Sequence, residues 1–473
     1  MLTLRHIWLG IGGDPRGTLR LPDEPVREVI IDSRQAQAGS VFVALPGERR
    51  DGHEFVRDAL ERGSIAALVS RVPEGYAGSV VDVATYPDRP VGMPVIFRVP
   101  DPLAALQRLG AYWRALHTPR VVGITGSVGK TSTKEMTAAV LRQRYRTLWS
   151  RASYNNEIGL PLTLLHLNNT HEALVVEMGA YVPGDIKALC DLAHPHIGVI
   201  TNVGVSHLER MGTVERIWEA KSELVRSLPR DGVAVLNWDD ERVRQMAEVT
   251  PARVFSYGLT PEADLWADEV ETLGLEGIRF ILHYNGDVVP VRLPWLGQHS
   301  VHTALRAAAV GLIFDMSWEE IIAGLQDTDA QLRIVVVPGI RETKIIDDTY
   351  NASPASMLAA LNLLADLDGR RMAILGDMLE LGSYEETGHR KVGARAAEVV
   401  QRLITVGERA RWIAEEAVAA GLSPEHVVHV ATVEEAIARA QEWLEPGDVV
   451  LVKASRAMML ERVVNALRAE VDD

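Results

Sequence analysis

The 473-residue chain carries 49 Lys and Arg against 64 Asp and Glu, a formal net charge of −15. That balance argues against a broad nucleic-acid or anionic-membrane surface, which needs a basic patch. One cysteine, Cys190, excludes an intrachain disulfide and suits a reducing cytoplasm. Cys190 itself reads as a small buried hydrophobe in a helix. No run of about 18 apolar residues exists, so no membrane span is predicted. The N-terminal MLTLRHIWLGIGG lacks a basic leader, a long apolar core and a small-residue cleavage site, and it reads as folded chain.

In chain order, residues 1–100 hold short β-like runs, SVFVALPG and AALVS, with helical stretches between them. Residues 73–98, rich in Pro and Gly, read as loop and short strand. DPLAALQRLGAYWRALH starts with an Asp101 cap and a proline at the first helical position, which predicts a helix leading into a new domain. From Arg120 to about Phe255 the apolar runs RVVGITG, ALVVEMG, IGVITNVG and GVAVLNWD alternate with amphipathic segments, which predicts a parallel sheet flanked by helices. FILHYNGDVVPVRL places Asn285-Gly286 between two alternating runs and predicts a β-hairpin. HTALRAAAVGLIF returns to helix. From about residue 329, TKIIDD, RMAILGD, RLITVG, HVVHV and DVVLVKAS alternate with four helical segments, a second Rossmann-like unit. The fold class is α/β in three units: 1–100, 101–328 and 329–473.

Thr125-Gly126-Ser127-Val128-Gly129-Lys130-Thr131, followed by Ser132, is the strongest local signal. It follows a predicted strand and opens a predicted helix. Glycines let backbone amides approach phosphates, and a helix N-terminus adds free N–H groups and positive dipole. Lys130 would neutralise β/γ-phosphate oxygens, and the Thr131 hydroxyl would ligate Mg²⁺. Ile124 stands where a strict Walker motif has its first glycine. Glu177 at the end of ALVVE and His207 just past ITNVG are candidate metal partners, since Mg²⁺ takes oxygen ligands; the histidine is the less usual of the two. Taken alone, a strand-end glutamate is ordinarily solvated. Lys221, in VERIWEAKSELVRSL, reads from its own helix as an exposed lysine in an i,i+4 pair.

Together these segments resemble the Mur ligase family. TGSVGKTSTK, NNEIGLPLTLL, VVEMGAYVPGDI, ITNVGVSHLERMG and EAKSEL fall in family order. FVALPGERRDGHEFVRDALERG, IIDDTYNASPASMLAAL and AILGDMLELG are most similar to the member whose acceptor is D-alanyl-D-alanine. The resemblance implies an N-terminal UDP-binding domain, a central P-loop ATPase domain and a C-terminal Rossmann-like domain. It implies an ATP-dependent, cytoplasmic ligase, working as a monomer, that joins D-alanyl-D-alanine to a UDP-linked muramyl tripeptide. Ser33 and Arg34, with Asp32, would contact the uridine diphosphate, and Asn155 and Asn156 the muramyl peptide. Thr131, Glu177, His207 and Lys221 would serve two Mg²⁺ ions, Lys221 as a carbamate; Lys130, Lys221 and His207 are the expected catalytic residues. Asn237 and His299 would reach the adenosine, and Arg333 and Asp348 phosphate and ribose.

The chain departs from the family pattern at Ser300 and Thr303, where asparagines are common. It departs again at Leu332, where glycine precedes the arginine, and at Ala454 and Ala457, which replace glycines. Two other readings stay open on the sequence. One is a sister amide ligase with another acceptor, tripeptide-forming or of folylpolyglutamate type, the latter disfavoured by the Asp-Ser-Arg segment. The other is an ATP-binding scaffold without ligation.

Overall fold

The computed structural model describes residues 1–47, 50–85, 87–151, 153–205, 208–327 and 334–469. The chain forms two compact units. The first holds Met1–Gly123, Tyr145–Gly179 and Gly184–His196; the second holds Ile124–Arg144, Ala180–Pro183 and the chain from Ile197 onward. Among the described residues no helix is long and apolar enough to cross a membrane.

The first unit opens with α1 (Leu4–Gly10), β1 (Glu28–Ile30), β2 (Ser40–Val43), α2 (Val56–Glu61), β3 (Ala66–Val69), β4 (Ser79–Asp82) and β5 (Val95–Arg98). The strands lie in the order β1-β2-β3-β5-β4, all parallel. Parallel sheets form with both faces covered, and β2 and β3 are buried at every residue. Val56 and Ala59 of α2 seal one face against Phe42, Ala67 and Ile96. α3 (Pro102–Ala115) begins as predicted, with the Asp101 carboxylate accepting from the Leu103 and Ala104 amides at 2.8 and 3.2 Å. The chain leaves this unit within β6 (Arg120–Thr125), and α4 (Lys130–Arg142) belongs to the second. β7 (Thr147–Trp149), α5 (Gly159–Leu164), β8 (Ala173–Glu177) and α6 (Asp185–Ala193) complete the first, with β7 and β8 parallel. Cys190 is buried in α6, as its residue type predicts.

In the second unit α4 is followed by β9 (Ile197–Ile200), α7 (Leu208–Met211), α8 (Val214–Arg226), β10 (Val233–Asn237), α9 (Glu241–Arg244) and β11 (Arg253–Gly258). Then come β12 (Leu265–Thr272), β13 (Ile278–Tyr284), β14 (Asp287–Leu293), α10 (His299–Ile313) and α11 (Trp318–Leu325). β9 to β12 pair in parallel, and β12, β13 and β14 continue antiparallel. The predicted hairpin is β13–β14. Asn285 (φ 49°) and Gly286 (φ 93°) supply the two positive φ values of a type I′ turn.

The rest of this unit is doubly wound: β15 (Val335–Gly339), β16 (Thr343–Asp347), α12 (Pro354–Ala365), β17 (Arg371–Gly376), α13 (Glu385–Val399), β18 (Arg402–Val406), α14 (Arg411–Ala419), β19 (Val427–Val430), α15 (Val433–Trp443), β20 (Val449–Lys453) and α16 (Glu461–Leu467). The strand order is β15-β16-β20-β17-β18-β19, and only β15 runs antiparallel. Alternation along β17 divides the core. Ala373 and Leu375 face α12, α13 and α14, whereas Met372 and Ile374 face α15 and α16. All five strands expected from the sequence are present. The expected boundary at 328 lies outside the described residues.

Candidate active site

The strand–loop–helix predicted for the phosphate loop forms from β6, residues 126–129 and α4. Gly126 (φ 149°) and Gly129 (φ 86°) hold backbone conformations closed to other residues at low cost. A Cβ on Gly126 would lie 1.8 Å from Thr201 Oγ1, so space as well as torsion requires glycine there. The segment after β9 braces the loop. The Ser127 amide donates to Asn202 O (3.0 Å), the Val128 amide to Asn202 Oδ1 (2.9 Å), and Asn202 Nδ2 and Thr201 Oγ1 both donate to Val128 O (3.1 and 2.7 Å). Ser127 Oγ donates to Gly204 O at 2.8 Å and accepts from the Gly204 amide at 2.9 Å. Lys130 Nζ folds back on Gly126 O (2.8 Å) and Ser127 O (3.4 Å). The result is a glycine-bent loop at a helix N-terminus, with the Lys130 ammonium folded across it. Thr131 and Ser132 sit half-buried in the first turn of α4, and Thr125 is fully buried below it.

Lys221 lies in α8, and its expected exposure is wrong: only 4% of the residue reaches solvent. The α8 stripe of Ile217, Ala220, Leu224 and Val225 is buried, and Lys221 falls on the same face. Burial, and then the nearby Lys130 ammonium, hold its pKa well below the usual lysine range. Among the described residues nothing accepts a hydrogen bond from it.

Asn237 is buried, donating to Thr201 O (3.0 Å) and accepting from the Asp239 amide (3.1 Å). Asp240 accepts from the Val203 amide at 2.8 Å, which ties this turn to the loop brace. His299 opens α10; the residue as a whole reaches solvent, but its ring packs against Gly297. The surrounding protein nonetheless desolvates the ring, and Lys453, Arg306 and His302 oppose a further cation. Its pKa is pushed down to about 4, so the imidazole is neutral at pH 7. Asp348 is buried in an ion pair with Lys453, 2.6 Å apart, and Lys453 also donates to Asn351 O at 2.8 Å. Lys453 was not among the expected site residues.

In the first unit Glu177 is likewise buried, against the solvated reading of a strand-end carboxylate. Its Oε1 accepts from Asn155 Nδ2 at 2.7 Å and its amide donates to Ser150 Oγ at 3.2 Å. Asn156 caps α5, its Oδ1 accepting from the Gly159 and Ile158 amides at 2.9 and 3.3 Å. Ser33 is buried, and Arg62 together with Ser33 holds the Asp58 carboxyl below its usual range; Arg34 is exposed and forks onto Asp32 at 2.9 and 2.6 Å, which holds the Asp32 carboxyl below its usual range. His207 and Arg333 lie outside the described residues.

Beside the phosphate loop the structure adds a group that the sequence did not flag. Tyr257 is fully buried, its hydroxyl donating to Ile200 O (3.0 Å) and accepting from Arg306 Nε (2.8 Å). Burial raises the phenol pKa to about 12. The folded chain therefore keeps a proton that the unfolded chain releases near pH 10. This contribution to stability is whole below that pH and is lost as pH climbs to about 12, about 3 kcal/mol in all. In Tyr257→Phe that part of the alkaline decline should be missing. Urea unfolding in steps from pH 9 to 12 reads it, and parallel curves for the two proteins would refute the assignment.

Comparison with known proteins gives the kinship. Residues 25–114 match the Mur ligase family catalytic domain, 124–311 the Mur ligase middle domain, and 332–456 the Mur ligase glutamate ligase domain. The chain is 36% identical over 464 residues to the UDP-N-acetylmuramoyl-tripeptide–D-alanyl-D-alanine ligase of Bacillus subtilis, spanning 96% of each chain. The chain belongs to the Mur ligase family. The Escherichia coli ligase of the same name is 34% identical over 459 residues, again 96% of each chain. Among solved structures, MurF from Acinetobacter baumannii superimposes with a TM-score of 0.84 at 30% identity, covering 98% of each chain. MurF from Thermotoga maritima, solved with ADP, gives 0.77 at 28% identity over 93% of this chain and 97% of that one. The three-domain Mur ligase fold is thus the fold of this chain.

Proposed function

We infer that the chain is an ATP-dependent, ADP-forming ligase of peptidoglycan precursor synthesis, joining D-alanyl-D-alanine to UDP-N-acetylmuramoyl-tripeptide. The observation that carries this is the full-length kinship with ligases of that name, together with a phosphate cradle whose glycines, brace and lysine are all present. Residues 1–100 would hold the UDP handle through Ser33 and Arg34, 101–328 the nucleotide, and 329–473 the incoming dipeptide. Asn155 and Asn156 would line the peptide, and Asn237, His299, Arg333 and Asp348 the nucleoside. The neutral His299 imidazole is suited to hydrogen bonding with a nucleoside rather than to charge pairing. A cytoplasmic location and a monomeric state accompany the reading.

The chemistry follows from a poor electrophile. A carboxylate resists amines, so the tripeptide's terminal carboxylate oxygen takes the γ-phosphoryl group of ATP, and ADP leaves. Catalysis of that transfer is chiefly positioning and charge stabilisation. Lys130, now capping loop carbonyls, would turn to the phosphate oxygens. The dipeptide amine then attacks the acyl carbon, gives up a proton, and phosphate departs from the tetrahedral intermediate. Mg²⁺ would offset charge on the crowded oxygens. By residue type the expected donors suit it: a Thr131 hydroxyl, the Glu177 carboxylate, His207 and a carbamate on Lys221 would be mostly hard oxygen ligands.

Phosphate release measured with ATP, D-alanyl-D-alanine and UDP-muramyl-tripeptide tests the reading. Release is expected only with both co-substrates. Release driven by a single amino acid would reassign the chain to a sister ligase, and nucleotide binding without any amine-dependent release would make it a scaffold.

A further inference from the structure

Arg306 is a buried cation beside the phosphate loop that the reading above leaves without a task. It sits in α10 within HTALRAAAV, between residues that are fully buried, and is itself only 5% exposed. Its Nη1 donates to Thr133 Oγ1 at 2.8 Å, one turn into α4, and its Nε to Tyr257 Oη at 2.8 Å. The Tyr257 ring centroid is 5.6 Å from the guanidinium carbon. A Cβ on Gly129 would fall 3.1 Å from Nη1, so the guanidinium lies against the last residue of the loop. Among the described residues no carboxylate pairs with it and its Nη2 makes no hydrogen bond.

Burying a guanidinium without an anion is unfavourable, and an apolar side chain would suit this alanine-rich helix better. The arrangement makes sense if an anion completes it. The nearest anion-binding group is the loop that Arg306 touches. We propose that Arg306 is a positioning residue for the nucleotide: it fixes the Gly129–Thr133 turn and lends the phosphates a buried positive charge. The proposal rests on the loop being a nucleotide site and goes beyond it by giving this arginine a task there. It also predicts how binding should grade with the number of phosphates. Each added phosphate charge should make the side chain matter more.

The test uses the full-length protein. Arg306→Met keeps the volume and removes the charge. Its KM for ATP should rise about 10-fold or more, with kcat and the KM of the other two substrates changed much less. By calorimetry, affinity should fall most for a non-hydrolysable ATP analogue, less for ADP and least for AMP. Arg306→Lys, which keeps the charge without the fork, should recover part of the loss. An unchanged ATP KM, or equal losses for ATP and AMP, assigns Arg306 a purely structural role and overturns the proposal. If Arg306→Met does not fold, Arg306→Lys decides: ATP binding several-fold weaker with AMP unchanged supports it, and both unchanged overturns it. The binding arm needs no acceptor, so it separates from the ligase reading, which fails only if the unaltered protein does not ligate.

Discussion

Lys130→Ala should lower amine-dependent phosphate release about 10²–10³-fold or more, with the melting temperature and circular dichroism close to those of the unaltered protein. The two halves of this expectation have separate causes. The ammonium is half-buried and donates to two carbonyls of its own loop, Gly126 and Ser127. The loop keeps its shape without them, because the Asn202 and Thr201 side chains and the Ser127–Gly204 pair hold it from the neighbouring segment. Stability is therefore little affected. A transferring phosphoryl group carries charge that backbone amides alone offset poorly, and the Lys130 ammonium would supply the missing cation. Normal turnover in the variant would refute the loop assignment. A cooperative loss of structure would instead show that the lysine was holding the fold.

What the sequence made legible is what the chain decides locally. The phosphate loop, the Asn285-Gly286 hairpin and the Asp101-capped helix each depend on a few consecutive residues, and each stands where the pattern put it. β12 was missed. Asp268, Glu269 and Glu271 blur its alternation, and it is a strand because β11 and β13 pair with it. Charged residues buried by distant segments were the other blind spot. Glu177, Lys221, Arg306 and Lys453 are each at most 5% exposed, although charged side chains are ordinarily left in water. An arginine inside an alanine-rich helical run was the available signal for Arg306. Glu177 entered as a strand-end carboxylate following the phosphate loop, and Lys221 only through the family resemblance.

Lys221→Ala should reduce ligation strongly, about 10²-fold or more if a catalytic charge is lost, and acetate or formate should restore part of it. The amine is buried, beside a second lysine, with its pKa held low first by desolvation and then by Lys130. Such an amine is neutral more often than an exposed one, and the neutral form is the one that adds to carbon dioxide. The new N–C bond would release a proton and leave a carbamate anion. Repulsion from Lys130 would then become attraction, and the site would gain two oxygen donors suited to Mg²⁺. The unmodified amine has no comparable use where it lies, so its removal should leave the melting temperature unchanged or higher. A small carboxylate can re-enter the vacated volume and supply the same oxygens. Acetamide, equal in size but uncharged, should not. Rescue by both would mean that filled space mattered rather than charge, and full activity in the unrescued variant would remove Lys221 from the chemistry altogether.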